Sequence, residues 1–229
     1  MSNKVDPEIL KDLQVNFEYV NKLVSDLGYL TAARILGYNT DNYDNLRLAG
    51  RIALGELNKE LGVSLSNFLE RMAKHLEPRL VHFYKEHLGT LQELLESADE
   101  YVEHDWFSAN SLIKNYLTKT NYDSETSIET PLQMYLRISV ATYYTMDIPF
   151  ESKLEYIRSN FLDLVQQKYI PASPIIFNSG LINGQLASCF LLTVDDDIDS
   201  IYQDGVYPMA KISKNVGASG LDVSRLRHS

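Results

Sequence analysis

The chain has 229 residues, 45% of them apolar, enough for a substantial core in one large domain or two smaller ones. With 31 acidic against 21 basic side chains the formal charge is −10, and no run of Lys or Arg offers a footprint for a nucleic-acid backbone or an anionic membrane, so neither is an expected partner. No apolar stretch approaches the ~20 residues of a membrane span, and the start, Met1-Ser2-Asn3-Lys4-Val5-Asp6-Pro7, lacks the charged-then-apolar layout of a signal peptide, which points to the cytoplasm.

Ile9, Leu13, Phe17, Val20, Val24 and Leu27 recur at steps of three and four and predict one amphipathic helix. Asn39-Thr40-Asp41-Asn42 reads as a turn, after which Leu46, Ala49, Ala53, Leu57 and Leu61 share the face of a second helix, with Asp44 placed as N-cap and Gly62 just past its end. Shorter helical patterns occupy residues 68–76 and 91–98, followed by a polar stretch over 120–129. Thr130-Pro131-Leu132-Gln133 is the clearest helix start: an N-cap hydroxyl, proline in the first turn and a glutamine placed to close a capping box. Leu132, Leu136, Val140 and Tyr143 mark the stripe that this helix buries, and Leu154, Ile157, Phe161, Leu164 and Val165 mark another that ends before Pro171.

From Pro171 the pattern changes. Ile175-Ile176-Phe177 and Phe190-Leu191-Leu192-Thr193-Val194 are short apolar runs bounded by turn formers and read as buried strands, separated by the loop Asn178-Ser179-Gly180-Leu181-Ile182-Asn183-Gly184. A mixed segment containing Pro208 leads to Gly217-Ala218-Ser219-Gly220 and a further strand-like piece, Leu221-Asp222-Val223. The boundary between a helical domain and an α/β opening is drawn near residue 168. Two or three strands cannot close a barrel or cover both faces of a parallel sheet, so the α/β part is expected to be incomplete.

A single cysteine, Cys189, excludes an intrachain disulfide, a cysteine-based zinc site and an internal dithiol pair. By residue type alone Cys189 is a small core residue, Ser173 and Ser188 are turn or strand-end serines, Asp195-Asp196-Asp197 is a solvated turn that caps a helix, and Lys214 and Arg227 are surface charges. The histidines at 75, 82, 87, 104 and 228 show no metal-ligand spacing.

A family resemblance sets a second reading beside that one. Ser173-Pro174-Ile175-Ile176-Phe177-Asn178-Ser179-Gly180, followed by Gln185-Leu186-Ala187-Ser188-Cys189-Phe190-Leu191-Leu192, closely resembles the first two barrel strands of class I ribonucleotide reductase large subunits. The resemblance continues through Asp196-Asp197-Ile198-Asp199-Ser200-Ile201-Tyr202 and Ile212-Ser213-Lys214-Asn215-Val216-Gly217 to Val223-Ser224-Arg225-Leu226-Arg227. Upstream, Asn45-Leu46-Arg47-Leu48-Ala49-Gly50-Arg51-Ile52-Ala53, Asp105-Trp106-Phe107, Asn115-Tyr116-Leu117 and Thr130-Pro131 resemble the helical domain of the same family.

The resemblance implies a mainly α N-terminal domain over 41–168, then the first strands of a ten-stranded α/β barrel over 169–229, with residues 1–40 a short helical extension in which an ATP-binding cone is shortened or absent. It implies part of an enzyme that reduces ribonucleoside diphosphates to deoxyribonucleoside diphosphates. Cys189 matches one of the two reducing cysteines. Its partner thiol must lie in a completing C-terminal chain, within the ~7 Å Cα separation that a disulfide spans. Ser173, Ser188 and the backbone of Ala218 match substrate contacts, with alanine standing where the family usually has glycine. Asp196, Asp197 and Ile198, with Lys214 and Arg227 as phosphate ligands, match the site of a deoxynucleoside triphosphate or ATP effector at a large-subunit dimer interface, and Asp197 stands where serine is common. No cofactor or metal is held directly. The radical comes from the metal site of a small subunit, and thioredoxin or glutaredoxin is the reductant. The alternative readings are a non-catalytic remnant that binds a subunit or a nucleotide, and an incomplete piece of an intact large subunit.

Overall fold

The computed structural model describes residues 7–10, 12–98, 103–120, 126–215 and 217–228. Residues 1–6 of the N-terminal motif, 121–125 of the polar stretch and Val216 lie outside the described residues. Packing divides the chain into two compact units, residues 1–170 with 180–182, and residues 171–179 with 183–229. The first is helical. The second holds the two-stranded sheet.

The predicted helix through Ile9 and Leu27 is interrupted. After a short 3-10 turn over Pro7–Leu10, Asp12 takes a left-handed φ of 65°, and α1 (Phe17–Leu27) starts only where the Asn16 side chain accepts the Tyr19 N–H. The intervening backbone is bound to the next helices instead: the Gln14 N–H donates to Asp44 at 2.8 Å, its carbonyl accepts from Asn42 Nδ2 at 3.1 Å, and the Ile9 carbonyl accepts from Arg51 at 3.1 Å. A periodic apolar pattern cannot report such a tertiary claim on the backbone, so two helical stretches in phase read as one. Val20 and Val24 are buried, but Phe17 and Leu27 are exposed.

Gly28, at φ 79°, turns the chain into α2 (Tyr29–Gly37). Next, α3 (Tyr43–Leu61) is capped by Asn42, which accepts the Asp44 N–H, rather than by Asp44 itself. Asp44 instead accepts from Gln14 and pairs with Arg47 at 3.2 Å. Leu46, Ala49, Ala53, Leu57 and Leu61 are buried as their spacing predicts, and Leu48 and Ile52 widen the face to meet Val20, Val24, Ala32, Ala33 and Leu36.

The pattern over 68–76 resolves into α4 (Leu65–Met72), capped by Ser64, and a turn. It is followed by α5 (Pro78–Glu86) and α6 (Leu88–Glu96). Asp105 caps α7 (Trp106–Ser111), which passes into a wider helical turn over Leu112–Tyr116. The capping box at α8 (Pro131–Tyr143) is present in full, the Gln133 N–H donating to Thr130 Oγ1 at 3.3 Å and the Thr130 N–H donating to Gln133 Oε1 at 3.0 Å. Every residue from Pro131 to Val140 is buried, so α8 is a central helix covered all round rather than one with a single apolar stripe. That position requires its one cation, Arg137, to be neutralised inside the core, and Glu129 does so at 2.7 Å. The last helix of this unit, α9 (Phe150–Val165), buries Ile157, Phe161, Leu164 and Val165. None of the described helices is long and apolar enough to cross a membrane.

In the second unit the expected strand at Ile175–Phe177 is a helix, α10 (Ser173–Asn178). Pro174 explains the difference, because its fixed φ and missing N–H suit the first turn of a helix, and three apolar residues are too few for periodicity to decide. Strand β1 (Cys189–Thr193) pairs in parallel with β2 (Ala218–Asp222), Cys189 opposite Ala218 and Thr193 opposite Asp222. Their crossover is helical throughout: α11 (Ile198–Ser200), a wide-turn segment over Ile201–Val206, and α12 (Tyr207–Lys214). Exposure alternates along β1, with Phe190 and Leu192 half-buried and Leu191 92% exposed, so it is not a strand buried on both faces.

Candidate functional site

Parallel pairing places three of the predicted site residues together where the strands begin. The Ala218 N–H donates to the Ser188 carbonyl at 2.7 Å, which aligns Cys189 beside Ala218, and Ser188 Oγ lies 3.5 Å from Cys189 Sγ. Cys189 is a free, exposed thiol and not the buried core residue that its type alone suggests. Ala218 sits in regular strand, outside the left-handed conformations found among the described residues, so its backbone does not require glycine. Its N–H, however, is committed to the sheet. A ligand contact through that N–H would have to break the bond to Ser188. Ser173 is exposed at the first position of α10.

The opposite end of the sheet gathers the acidic residues. Asp197 caps α11 by accepting the Ser200 N–H at 2.9 Å, Asp196 pairs with Arg227 at 2.9 Å, and Asp195 pairs with Arg225 at 2.9 Å. Two Asp–Arg pairs thus join the segment leaving β1 to the segment leaving β2. The Asp222 carboxyl is held below its ordinary range, first because the Ser224 N–H donates to it at 2.9 Å. Sequence reasoning missed Arg225, whose pairing with Asp195 depends on where the parallel register carries it.

Lys214 does not join this group. It closes the helical run that opens at Ile198, and so stands at the far end of the crossover from the aspartates. Within one chain, then, Asp196, Asp197, Ile198 and Arg227 are neighbours, and Lys214 lies towards the end of the sheet that carries Cys189. Arg227 is already neutralised by Asp196, and an anionic ligand would have to exchange that partner at an exposed pair of small intrinsic worth.

In the helical unit one cleft of about 470 Å³ is lined by Pro78, Arg79, His82, Phe83, Glu86, Tyr144 and Thr145. Its charges are mixed, with Arg79 against Glu86, and the Tyr144 hydroxyl donates to Glu77 at 2.7 Å. Among the described residues no three His, Cys, Asp or Glu side chains converge as a metal site.

Residues 102–184 match the family model described as the all-alpha domain of ribonucleotide reductase. The chain is 28% identical to the ribonucleoside-diphosphate reductase large subunit of monkeypox virus, over 100% of its own length and 30% of that protein. It is 29% identical to the large subunit of Danio rerio and 26% identical to that of Arabidopsis thaliana, in each case over 99% of its own length and 28% of the relative. The chain therefore spans about 30% of the length of these relatives.

Proposed function

We propose that the chain is the N-terminal part of a ribonucleoside-diphosphate reductase large subunit, as its matches to that family support, and that it supplies the helical N-terminal domain and the first two strands of the catalytic α/β barrel of such a subunit. The supporting observation is the start of the sheet, where Ser188, Cys189 and Ala218 are held in register with the thiol exposed. In this reading Cys189 is one of two thiols that reduce a ribonucleoside diphosphate in the cytoplasm. Each thiol gives up one proton and one electron, the 2′ oxygen leaves as water, a hydrogen takes its place on carbon, and the sulfurs join as a disulfide. The second sulfur comes from the remainder of the large subunit. Ser173 and Ser188 offer hydroxyls to the diphosphate and sugar. Ala218 acts through the sheet, its N–H fixing the Ser188 backbone beside the thiol.

The effector reading needs two copies. A deoxynucleoside triphosphate or ATP held by Asp196, Asp197, Ile198 and Arg227 stands at one end of the helical crossover, and the same chain's Lys214 at the other. A second copy can present its Lys214 there. Exposed Ile198, Tyr202 and Val206, at steps of four on that run, provide an apolar stripe on which two copies can pair. Residues 1–40 are read as a short helical extension in which an ATP cone is shortened or absent, with α1 and α2 packed on a core with α3. The radical is supplied by the metal site of a small subunit, and thioredoxin or glutaredoxin reopens the disulfide.

The test combines the chain with a polypeptide carrying the rest of the large subunit, the small subunit and cytidine diphosphate, without a reductant. After one turnover, peptide mapping is expected to find Cys189 in a disulfide with a cysteine of the completing polypeptide. Deoxycytidine diphosphate formed while Cys189 remains a free thiol would remove it from the chemistry.

A further inference from the structure

We propose that Asn183–Gly184 is a deamidation site, and that its conversion loosens the segment leading into Ser188 and Cys189. It is the sole Asn-Gly step in the sequence. Asn183 is exposed and sits in a turn at φ 58°, a left-handed conformation that asparagine adopts more readily than most residues with a Cβ. Gly184 has no Cβ to shield its backbone nitrogen or restrict its dihedrals. The side-chain amide therefore lies next to a backbone nitrogen that no side chain of its own residue shields, and Asn183 is open to water.

The chemistry needs only water. The Gly184 nitrogen attacks Asn183 Cγ; as the new C–N bond forms, the Cγ–Nδ2 bond breaks, and the amide nitrogen leaves as ammonia with the proton lost from Gly184. Water then opens the cyclic imide at one carbonyl to give aspartate or at the other to give isoaspartate. Either product adds one negative charge. Isoaspartate also routes the main chain through Cβ, lengthening it by one carbon–carbon bond of about 1.5 Å.

The surrounding loop has no slack to absorb that length. The Asn178 side-chain amide donates to the Gln185 carbonyl at 2.7 Å, closing the loop immediately after Gly184. A Cβ placed on Gly184 would lie only 2.3 Å from the Asn178 carbonyl oxygen, so the backbones already approach as closely as a glycine allows. An extra main-chain carbon between Asn178 and Gln185 breaks this closure. The effect falls on Gln185, Leu186, Ala187 and Ser188, which precede β1. The inference does not depend on the enzymatic reading of Cys189.

The full chain, alone in mildly alkaline buffer, is followed by peptide mass spectrometry with isoaspartyl methyltransferase labelling. Asn183 is expected to convert several-fold faster than Asn39, which is also exposed but is followed by Thr40. Asn183→Gln, whose longer side chain would have to close a larger ring, is expected to abolish the label at this site. Hydrogen exchange should then show faster exchange at the amides of Gln185 to Ser188 in the isoaspartate form. Conversion of Asn183 no faster than of Asn39 overturns the assignment of the site, and unchanged exchange in the converted protein overturns its structural consequence.

Discussion

Replacing Arg137 with methionine removes one half of the most deeply placed ion pair in the helical unit. Both side chains of the Arg137–Glu129 pair are 0% exposed, with Arg137 Nε and Nη2 donating to the carboxylate at 2.8 and 2.7 Å. Thr118 adds its N–H at 3.0 Å and its hydroxyl at 2.7 Å. Methionine occupies much of the arginine stem, so the main effect is a buried carboxylate left with the Thr118 donors and no counter-charge. Breaking such a pair costs about 3–5 kcal/mol, a large share of the stability of an ordinary domain. Glu129→Gln in the same background removes the stranded charge while still accepting from Thr118, and should bring the loss down to about 1–2 kcal/mol. Trp106, the sole tryptophan, lies in this unit, where a Cβ on Gly37 would meet its ring, so urea unfolding followed by its fluorescence reports on the right structure. An Arg137→Met protein within about 1 kcal/mol of the parent, or a double variant as unstable as the single one, would refute the reasoning.

Three further outcomes follow from the same core. The Tyr84 hydroxyl is buried without a hydrogen-bond partner among the described residues, and burial pushes its pKa upward, so Tyr84→Phe should raise stability by about 1 kcal/mol; a loss in the urea midpoint would reveal an unrecognised partner. Gly50→Ala places a Cβ 1.9 Å from the His104 carbonyl, which is backbone and cannot rotate away, so a loss of roughly 1–3 kcal/mol should outweigh the better helix propensity of alanine; an unchanged midpoint would contradict it. His104 is buried, which lowers its pKa below 6.5 despite the nearby Asp105 and Glu103. The unfolded chain then takes up a proton near pH 6.5 that the folded chain refuses, so stability should fall as pH drops through and below 6.5. His104→Gln should flatten that upper part of the curve. The Glu103 carboxyl, held low chiefly by its hydrogen bond from Arg47, leaves acid sensitivity that begins only below about pH 4.5; an unchanged slope between these values in His104→Gln would exclude His104 as its source.

Much of the helical unit is legible in the sequence because its signals are local. Thr130, Pro131 and Gln133 specify their helix start within four residues, and Leu46, Ala49, Ala53, Leu57 and Leu61 find the core from spacing alone. Failures occur where a distant group takes over the backbone. Gln14 and Ile9 give their main-chain groups to Asp44, Asn42 and Arg51, so one apparent helix becomes a turn, an extended segment and α1. Asp44 loses the capping role to Asn42 for the same reason: its carboxylate is already engaged by Gln14 and Arg47.

The candidate site is legible in a different way, since residue identity fixes its chemistry and only the sheet register fixes its grouping. Cys189 and Ala218 are 29 positions apart in sequence and side by side in the fold, and Asp195 and Arg225 meet at the other end of the same two strands. Lys214 shows the limit of reading order as proximity. It stands closer in sequence to Asp197 than Arg227 does, yet Arg227 returns to the aspartates because β2 runs parallel to β1, while Lys214 is carried away by the helical crossover. A parallel pair with a helical connection always separates the end of its helix from the end of its strands by about the strand length, ~17 Å for five residues. Residues at the ends of β1 and β2 can therefore share a ligand within one chain, whereas a residue at the end of α12 can join them only from another molecule or after a large rearrangement. A single cation substitution separates these cases. In mixtures of Lys214→Ala and Arg227→Ala chains, effector binding should be partly restored, because a hybrid pair keeps one intact site, and no restoration would place both cations in the same chain's site.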